Sequence, residues 1–192
     1  KANVDEARLM RRLFDLACNM QSHDTDMQLY SLFTDEECYD RWSCNNLYWY
    51  LTHACSPVTD GLMPYREADL LRNILDRADA ALKEGKNQAT LRFGHESCLL
   101  PLVALLELNH YGESYPDVEK LSEQWRAYDI FPMASNVQFV FFHKKGSNDV
   151  LVKVLLNEKE TKLPVKTDVA PYYHWKDVES YYREKLDKYQ HI

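Results

Sequence analysis

The feature that most constrains the fold is an apolar run in the middle of the chain. Nearly every position from Leu99 to Leu108 is apolar. A helix that is apolar on all sides must be covered on all sides, so the run predicts a helix deep in a core that the rest of the chain builds. Pro101 is predicted to lie in the first turn of this helix, because a proline further inside removes one of its hydrogen bonds.

Three segments of helical periodicity come before this run. Apolar side chains recur at helical spacing between Asn3 and Met20, which predicts the first helix. Thr34 is a good N-cap and Glu37 follows it three residues later, so the two predict a capping box at the start of the second helix. The third helix is predicted to have Pro64 in its first turn and Gly85 as its C-cap. Its buried stripe is predicted to consist of Leu71, Ile74, Leu75, Ala78 and Leu82.

Strand-forming segments are concentrated in the second half of the chain. Ala89–Phe93 is a predicted short strand that ends just before the apolar helix. Asn136–His143 and Val150–Leu156 are rich in β-branched and aromatic residues, and the polar turn Lys144–Asp149 joins them, which predicts a hairpin. A final amphipathic helix is predicted for His174–Tyr189. Because five glycines are few for the turns of a complete α/β enzyme, the composition predicts a helix-dominated chain.

Charge and hydropathy narrow the classes of function. The net charge of the 192 residues is −7, which argues against general nucleic-acid binding because that needs a basic face. A small basic pocket for a phosphorylated ligand can still lie on an acidic surface. The sequence contains no apolar run of about 18 residues, so it predicts no membrane span.

The cysteines leave two interpretations open. The chain has five of them and no Cys-x-x-Cys pair, so a zinc ribbon is not expected. Free, buried thiols are the first interpretation. The second is one disulfide among Cys38, Cys44 and Cys55, which is favoured if the protein is exported.

The segment best suited to chemistry is Gly94-His95-Glu96-Ser97, between the predicted strand and the apolar helix. Ligands bind beyond the carboxyl ends of strands in α/β sheets, and a helix N-terminus there offers free N–H groups to a phosphate. His95 can donate a hydrogen bond to a phosphoryl oxygen, and Glu96 can hold a proton for a leaving alkoxide. On spacing alone, a capping Glu and a satisfied core His explain such a segment more often. A zinc-protease helix is excluded because Leu99 stands where it needs a second His.

A longer stretch resembles a known family. Leu91-Arg92-Phe93-Gly94-His95-Glu96-Ser97, followed by Leu100-Pro101-Leu102, is similar to the C-terminal active-site segment of the histidine acid phosphatases. Within that family the stretch most resembles the multiple inositol polyphosphate phosphatase branch, including its bacterial members. The resemblance extends to Ala68–Leu82 before the segment and to Pro132–Leu156 after it.

The resemblance implies roles for two residues of the segment. His95 is implied as a catalytic, phosphate-binding residue and Glu96 as the catalytic proton donor, with no cofactor and no metal. The family's Arg-His-Gly-x-Arg-x-Pro motif, which carries the nucleophilic His and the phosphate-clamping Arg residues, does not occur in this chain. Because Lys1 opens inside a helical pattern, we expect the motif in an N-terminal half of the same protein. Glu96 directly follows His95, where the family has Asp or Ala-Glu, so the reach of its carboxyl group stays open.

The resemblance also implies a fold and a function. The fold is a helix-rich α/β fold of the histidine-phosphatase type. Residues 1–88 form a mainly helical region, and residues 89–192 form the C-terminal part of the α/β core with the hairpin and the final helix. The function is that of a fragment of a phytase-like acid phosphatase acting on inositol polyphosphates or other small phosphomonoesters. The resemblance also implies an exported protein of the periplasm or cell envelope. The alternative is a non-catalytic phosphate-binding or interaction module that kept the His95 loop.

Other charged residues receive structural interpretations. Arg66, Arg72 and Arg77 are predicted to pair with acidic neighbours on the third helix, as charges three or four residues apart do. The expected acidic partners are Glu67, Asp69, Asp76 and Asp79. No role is assigned to His53, His110 or His174.

Overall fold

A computed structural model of the chain describes residues 5–86 and 88–189. These residues fall into two compact units, one that ends at Asn46 and one that begins at Leu47. The helix-rich α/β prediction is confirmed, since most of the described residues are helical and the strands form one small antiparallel sheet. The sequence analysis divides the chain between residues 88 and 89 by secondary-structure content, whereas the two compact units are divided by contacts. The predicted division stays a prediction.

The first unit begins with helix α1, Glu6–Asn19, which Asp5 caps by accepting a hydrogen bond from the Arg8 N–H at 3.1 Å. Residues 3 and 4 of the predicted helix lie outside the described residues. Single 3₁₀ turns follow at Met20–Ser22 and Tyr30–Leu32. The Phe14 ring packs edge-on against the rings of Tyr30 and Phe33, with centroids 6.2 and 5.6 Å away.

The second helix, α2, spans Asp35–His53 and begins with the predicted capping box. The Thr34 N–H donates to Glu37 Oε2 at 2.8 Å, and the Glu37 N–H donates to Thr34 Oγ1 at 3.2 Å. Both bonds satisfy N–H groups that the helix itself leaves unpaired, so the capping-box prediction is confirmed.

Helix α3, Ala68–Glu84, ends as predicted at Gly85, whose φ of 65° is easily adopted only by glycine. Pro64 lies just ahead of α3, in a 3₁₀-helix of residues Met63–Glu67 that runs into it. Of the predicted stripe, Leu71 and Leu75 are fully buried, and the other members are half-buried.

Helix α4, Glu96–Leu105, is the apolar run, and it lies in the middle of the core of the second unit. Every residue from Leu100 to Leu106 is buried. Pro101 does not lie in the first turn, as predicted, but is the sixth residue of the helix. The prediction was wrong because the helix begins three residues earlier than its apolar part, at Glu96. The proline ring therefore removes the N–H that would have bonded the Ser97 carbonyl.

The predicted strand Ala89–Phe93, the core strand expected before the His95 loop, is not formed. The physical reason is the lack of a neighbour, because a strand exists through hydrogen bonds to another strand and no part of the described chain pairs with these residues. Leu91 is 75% exposed and Phe93 is 94% exposed. Arg92 ties the segment to α3 through a 2.7 Å hydrogen bond from Nη2 to Asn73 Oδ1.

Between α4 and the sheet, two short helices contribute to the core. Helix α5 spans Leu121–Gln124 and helix α6 spans Ala127–Ile130. Leu121 and Ile130 are buried in the same cluster as α4.

The predicted hairpin is confirmed. Strands β1, Val137–His143, and β2, Val150–Leu156, pair antiparallel. Gly146 lies in the connecting turn with a φ of 83°. Two further short strands, β3 at Lys159–Glu160 and β4 at Tyr173–His174, also pair with β2.

The final helix, α7, spans Trp175–Tyr189, so the predicted helix is confirmed apart from His174, which belongs to β4. Its core-facing residues are Trp175, Val178, Tyr182 and Leu186. Tyr182 donates a hydrogen bond to the Leu106 carbonyl at 2.7 Å. Among the described residues, no helix has the length and apolar content that crossing a bilayer requires.

The predicted ion pairs along α3 are wrong. Asp76 and Asp79 bind Arg183 of α7 instead, at 2.9 and 2.8 Å. Arg72 reaches Asp187 of α7 at 3.4 Å and the Leu186 carbonyl at 2.9 Å. The packing of α7 beside α3 places these partners within reach, and a sequence distance of more than 100 residues hides them from a local pattern.

His174, which had no assigned role, holds two loops together. Its Nδ1 lies 3.0 Å from Asp149 at the end of the hairpin turn, and its Nε2 lies 2.9 Å from Asp168 in the loop before β4. Hydrogen bonds that the imidazole donates to the two carboxylates raise the pKa of His174 above its ordinary value of 6.5.

We predict that His174→Gln removes a pH-dependent part of the stability. Because the pKa is raised in the folded state, the contribution of His174 is fully present below about pH 6.5 and is lost as the pH rises through the raised value. Urea unfolding of both proteins from about pH 5.5 to about pH 8.5 should show a difference in unfolding free energy that shrinks with pH. The same difference at every pH, or an equal effect of substituting the exposed His23, would contradict this.

We predict that Tyr182→Phe lowers the free energy of unfolding by about 1–3 kcal/mol, because it leaves the buried Leu106 carbonyl without its hydrogen bond. Tyr48→Phe is the matched control, since the Tyr48 ring is exposed. Equal effects of the two substitutions in urea unfolding would mean that the Leu106 carbonyl finds another donor.

Candidate functional site

The predicted site residues His95 and Glu96 stand at the start of α4. His95 has extended backbone angles, φ −100° and ψ 164°, and is the N-cap residue; Glu96 is the first helical residue. The carbonyl of His95 accepts from the N–H groups of Cys98 and Leu99 at 3.0 and 3.1 Å, which starts the helical ladder. The exposed surface at the start of this buried helix therefore includes these two side chains, the Cys98 side chain and N–H groups of the first turn that have no helical partner.

Both side chains are free to meet a ligand. His95 is exposed and its imidazole does not cap the helix, so it is not the satisfied core His of the structural alternative. The Glu96 carboxylate is exposed and lies in the first turn, where the helix dipole favours a negative charge. The segment thus offers one hydrogen-bond donor and one carboxyl group to solvent, next to a positive helix end.

A third residue, His53, lies close to this site, although the sequence gave it no role. His53 ends α2 and is 7% exposed. Its ring packs against Trp49, with centroids 4.6 Å apart. Its Nδ1 lies 2.7 Å from Thr52 Oγ1, and the Thr52 hydroxyl donates to the Tyr48 carbonyl at 2.6 Å. Because that hydroxyl has one hydrogen, it accepts from Nδ1–H, and neutral His53 keeps its lone pair on Nε2.

Burial and two neighbouring charges determine the pKa of His53. Burial lowers the pKa of His53, and the positive charge of Arg66 lowers it further. The negative charge of Glu96 acts in the opposite direction and raises it. Burial is the largest of these effects, so the pKa of His53 lies below its ordinary value of 6.5.

Arg66 is a second residue to which the sequence analysis gave no functional role. It lies in the Met63–Glu67 3₁₀-helix, which packs against α4, and its side chain is exposed. The predicted pairing with acidic neighbours is not observed, since Arg66 forms no ion pair within the part of the chain that the structure describes. Burial raises the pKa of Glu67 above its ordinary value, and the charge of Arg66 opposes that rise.

No local pattern could have selected His53 and Arg66. His53 lies at the end of one helix and Arg66 in a short turn, and neither has a spacing that relates it to His95. The Met63–Glu67 turn, which carries Arg66, packs on α4, and no local sequence pattern indicates that contact. The only usable signal was the unusual density of Pro and Gly between α2 and α3, which marks a loop able to return to the core.

A cavity, the possible metal ligands and the cysteines were also compared with this site. A cavity of about 390 Å³ opens near the other end of α4, lined among others by Leu105, Glu107 and Lys185, and neither His95 nor Glu96 lines it. In residues 5–86 and 88–189, no group of three or more His, Cys, Asp or Glu side chains is placed to hold a metal ion. The five cysteines are all free and none is fully buried.

Comparison with known proteins identifies the family. Residues 2–157 match the sequence profile of the histidine phosphatase superfamily (branch 2). The chain is 28% identical over 134 residues to multiple inositol polyphosphate phosphatase 1 of Homo sapiens, an alignment that covers 63% of this chain and 27% of the human protein. The same protein of Gallus gallus is 27% identical over 135 residues, covering 61% of this chain and 28% of the relative.

Solved structures show the same fold. The multiple inositol polyphosphate phosphatase of Bifidobacterium longum, in complex with phosphate, matches with a TM-score of 0.77 and 21% identity over 92% of this chain and 39% of that chain. Its apo form matches with a TM-score of 0.72 and 23% identity over 89% and 38%. The chain thus spans less than two fifths of the length of these relatives.

The matches confirm the resemblance that the residues around His95 suggested. The profile covers most of the chain, from the first helix to the end of β2, and includes the His95–Glu96 segment. On this ground the chain belongs to the histidine phosphatase superfamily, branch 2.

Proposed function

We propose that this chain is the proton-donor part of a phosphatase that hydrolyses phosphomonoesters through a phosphohistidine. The observation that supports this most is the pair of exposed side chains, His95 and Glu96, at the open N-terminus of the buried helix α4. Inositol polyphosphates are the proposed substrates, as the names of the human and Bifidobacterium relatives suggest. A phytase-like enzyme of bacterial origin, exported to the periplasm or cell envelope, is part of the same proposal.

The first chemical step transfers the phosphoryl group to a histidine that this chain does not contain. The nucleophilic imidazole forms a bond to phosphorus while the bond from phosphorus to the ester oxygen breaks. His95 donates a hydrogen bond to a phosphoryl oxygen, and the N–H groups at the start of α4 favour its negative charge. Glu96 gives its proton to the leaving alkoxide, which departs as an alcohol.

The second step returns the enzyme to its starting state. Glu96, now a carboxylate, takes a proton from water while the water oxygen bonds to phosphorus. The phosphorus–nitrogen bond breaks, which releases orthophosphate and the free imidazole. No metal or cofactor takes part in this scheme, and that remains part of the proposal.

The nucleophile is proposed to lie in an N-terminal half of the same protein, which would then cover the exposed Leu91 and Phe93 side chains. A non-catalytic phosphate-binding module of the same fold is the second candidate. It is favoured by one observation, the lack of an Arg-His-Gly motif in these 192 residues. The residues upstream of Lys1 in the gene product distinguish the two, since an Arg-His-Gly motif there supports the enzyme.

We predict that the purified 192-residue chain does not hydrolyse p-nitrophenyl phosphate, because it contains no residue in the nucleophile's place. Release of nitrophenolate is the measurement. Turnover that disappears in a His95→Ala variant would show that this chain carries its own nucleophile, and the proposal of a separate N-terminal half would fail.

We predict that Glu96→Gln in the full-length gene product slows hydrolysis of alkyl phosphates by about 10²–10⁴-fold. Formation of the phosphoenzyme from aryl phosphates should change much less, since a phenolate leaves without a proton donor. Glu84→Gln, an exposed carboxylate at the end of α3, is the control and should have no effect. If Glu96→Gln retains the wild-type rate on alkyl phosphates, Glu96 is only a helix-capping charge.

A further inference from the structure

A cluster around Phe14 connects the helices of the first unit. The Phe14 ring of α1 packs edge-on against the rings of Tyr30 and Phe33, and the guanidinium of Arg41 lies 5.9 Å from the centroid of the Phe14 ring. Phe33 comes just before α2, and Arg41 lies in the second turn of α2. The start of α2 therefore lies beside the face of α1 that carries Phe14.

Two of the five cysteines belong to this cluster. Cys18 follows Phe14 by four residues on α1, and Cys38 precedes Arg41 by three residues on α2. Because side chains at these spacings share one face of a helix, each thiol lies on the face that makes the contact between Phe14 and Arg41. Both cysteines are half-buried and free, whereas the residues that flank Cys38, 35–37 and 39–40, are exposed.

Tyr30 is a neighbour of both thiols. Its hydroxyl donates a hydrogen bond to Cys18 Sγ at 3.3 Å. This hydrogen bond, burial and the negative charges of ionised Cys18 and Cys38 raise the pKa of Tyr30 to about 12. The effect of both cysteines on one hydroxyl agrees with their placement by the Phe14 contacts.

Helix α2 excludes one pairing that the sequence left open. Cys38 and Cys44 both lie within α2, six residues apart, which separates their Cα atoms by about 9 Å along the helix axis. A disulfide needs Cα atoms within about 7 Å of each other. Cys44 is exposed, and Cys55 lines the cavity of the second unit. Within the first unit, the partner that the geometry favours for Cys38 is therefore Cys18.

We propose that Cys18 and Cys38 form a disulfide in an oxidising environment and so tie α1 to the start of α2. One thiolate attacks a small disulfide such as oxidised glutathione, which gives a mixed disulfide and releases one glutathione thiol. The second thiolate attacks the cysteine sulfur of the mixed disulfide and releases the second glutathione thiol. The two protein thiols are thus oxidised, and each of their protons ends on a glutathione.

The disulfide has a consequence for stability. It closes a loop that contains the Tyr30–Leu32 turn, and so it removes conformations from the unfolded chain. Oxidation should therefore raise the urea concentration at which the first unit unfolds. The inference is independent of the chemistry proposed at His95.

The test oxidises the native 192-residue chain with oxidised glutathione, blocks the remaining thiols with iodoacetamide and digests the protein with a protease that cuts before aspartate. Cys18 and Cys38 then lie in separate peptides, residues 15–23 and 35–39, whereas Cys44 and Cys55 share residues 40–59. Mass spectrometry without reduction should find the first two peptides linked. Far-UV circular dichroism should show a higher urea midpoint for the oxidised chain than for the same chain reduced with dithiothreitol.

Three variants provide the controls. Cys18→Ser and Cys38→Ser should each abolish the link and the shift in urea midpoint, and Cys44→Ser, which removes an exposed cysteine of the same helix, should leave both unchanged. Recovery of Cys18 and Cys38 in the alkylated form from the oxidised wild type would overturn the proposal. So would Cys38 linked to residues 40–59, or an equal yield of the Cys18–Cys38 link from a chain oxidised in denaturing urea, since the fold would then not direct the pairing.

Discussion

The burial of helix α4 is the constraint on which the second unit depends. A helix with so few polar side chains is stable only when other elements surround it, and the Met63–Glu67 turn and α6 pack directly against it. Its last carbonyls, which no helical N–H can reach, are bonded from α7 by Tyr182 at Leu106 and by Lys185 at Leu105, each at 2.7 Å. The hydrophobic effect holds the helix in place, and side chains of α7 donate hydrogen bonds to the carbonyls at its C-terminal end.

The candidate site is the opposite end of the same helix. Because α4 is fixed along its length, the position of its N-terminus is fixed too, and His95 and Glu96 are presented to solvent from a rigid base. The Met63–Glu67 turn packs on the same helix and helps to hold it in the core. The C-terminal end of α4 is thus anchored in the core and its N-terminal end carries the candidate site, so a change in the core can move the site.

Local patterns predicted the features that depend on local contacts. Thr34 and Glu37 predicted their capping box, and the β-rich runs around Gly146 predicted the hairpin, since in both cases the bonds form within a few residues. Features that depend on distant partners were missed. The segment 89–93 has strand-forming side chains but no neighbouring strand, and Asp79 binds an arginine 104 residues away.

The candidate site shows the same division. His95 and Glu96 could be selected from the sequence because they are adjacent and follow a recognisable stretch, and the family match agrees with it. His53 could not, because only tertiary packing brings the end of α2 near enough for the charge of Glu96 to act on its imidazole.

The claim that Glu96 serves both steps of a phosphohistidine mechanism can be tested by following the phosphoenzyme. The measurement is the amount of alkali-stable, ³²P-labelled protein formed by full-length Glu96→Gln with an aryl phosphate whose leaving group needs no proton donor. We predict that labelled protein accumulates well above the wild-type level, because water is no longer activated against the phosphohistidine. A label that turns over at the wild-type rate, or no label in either protein, would contradict the assignment of Glu96.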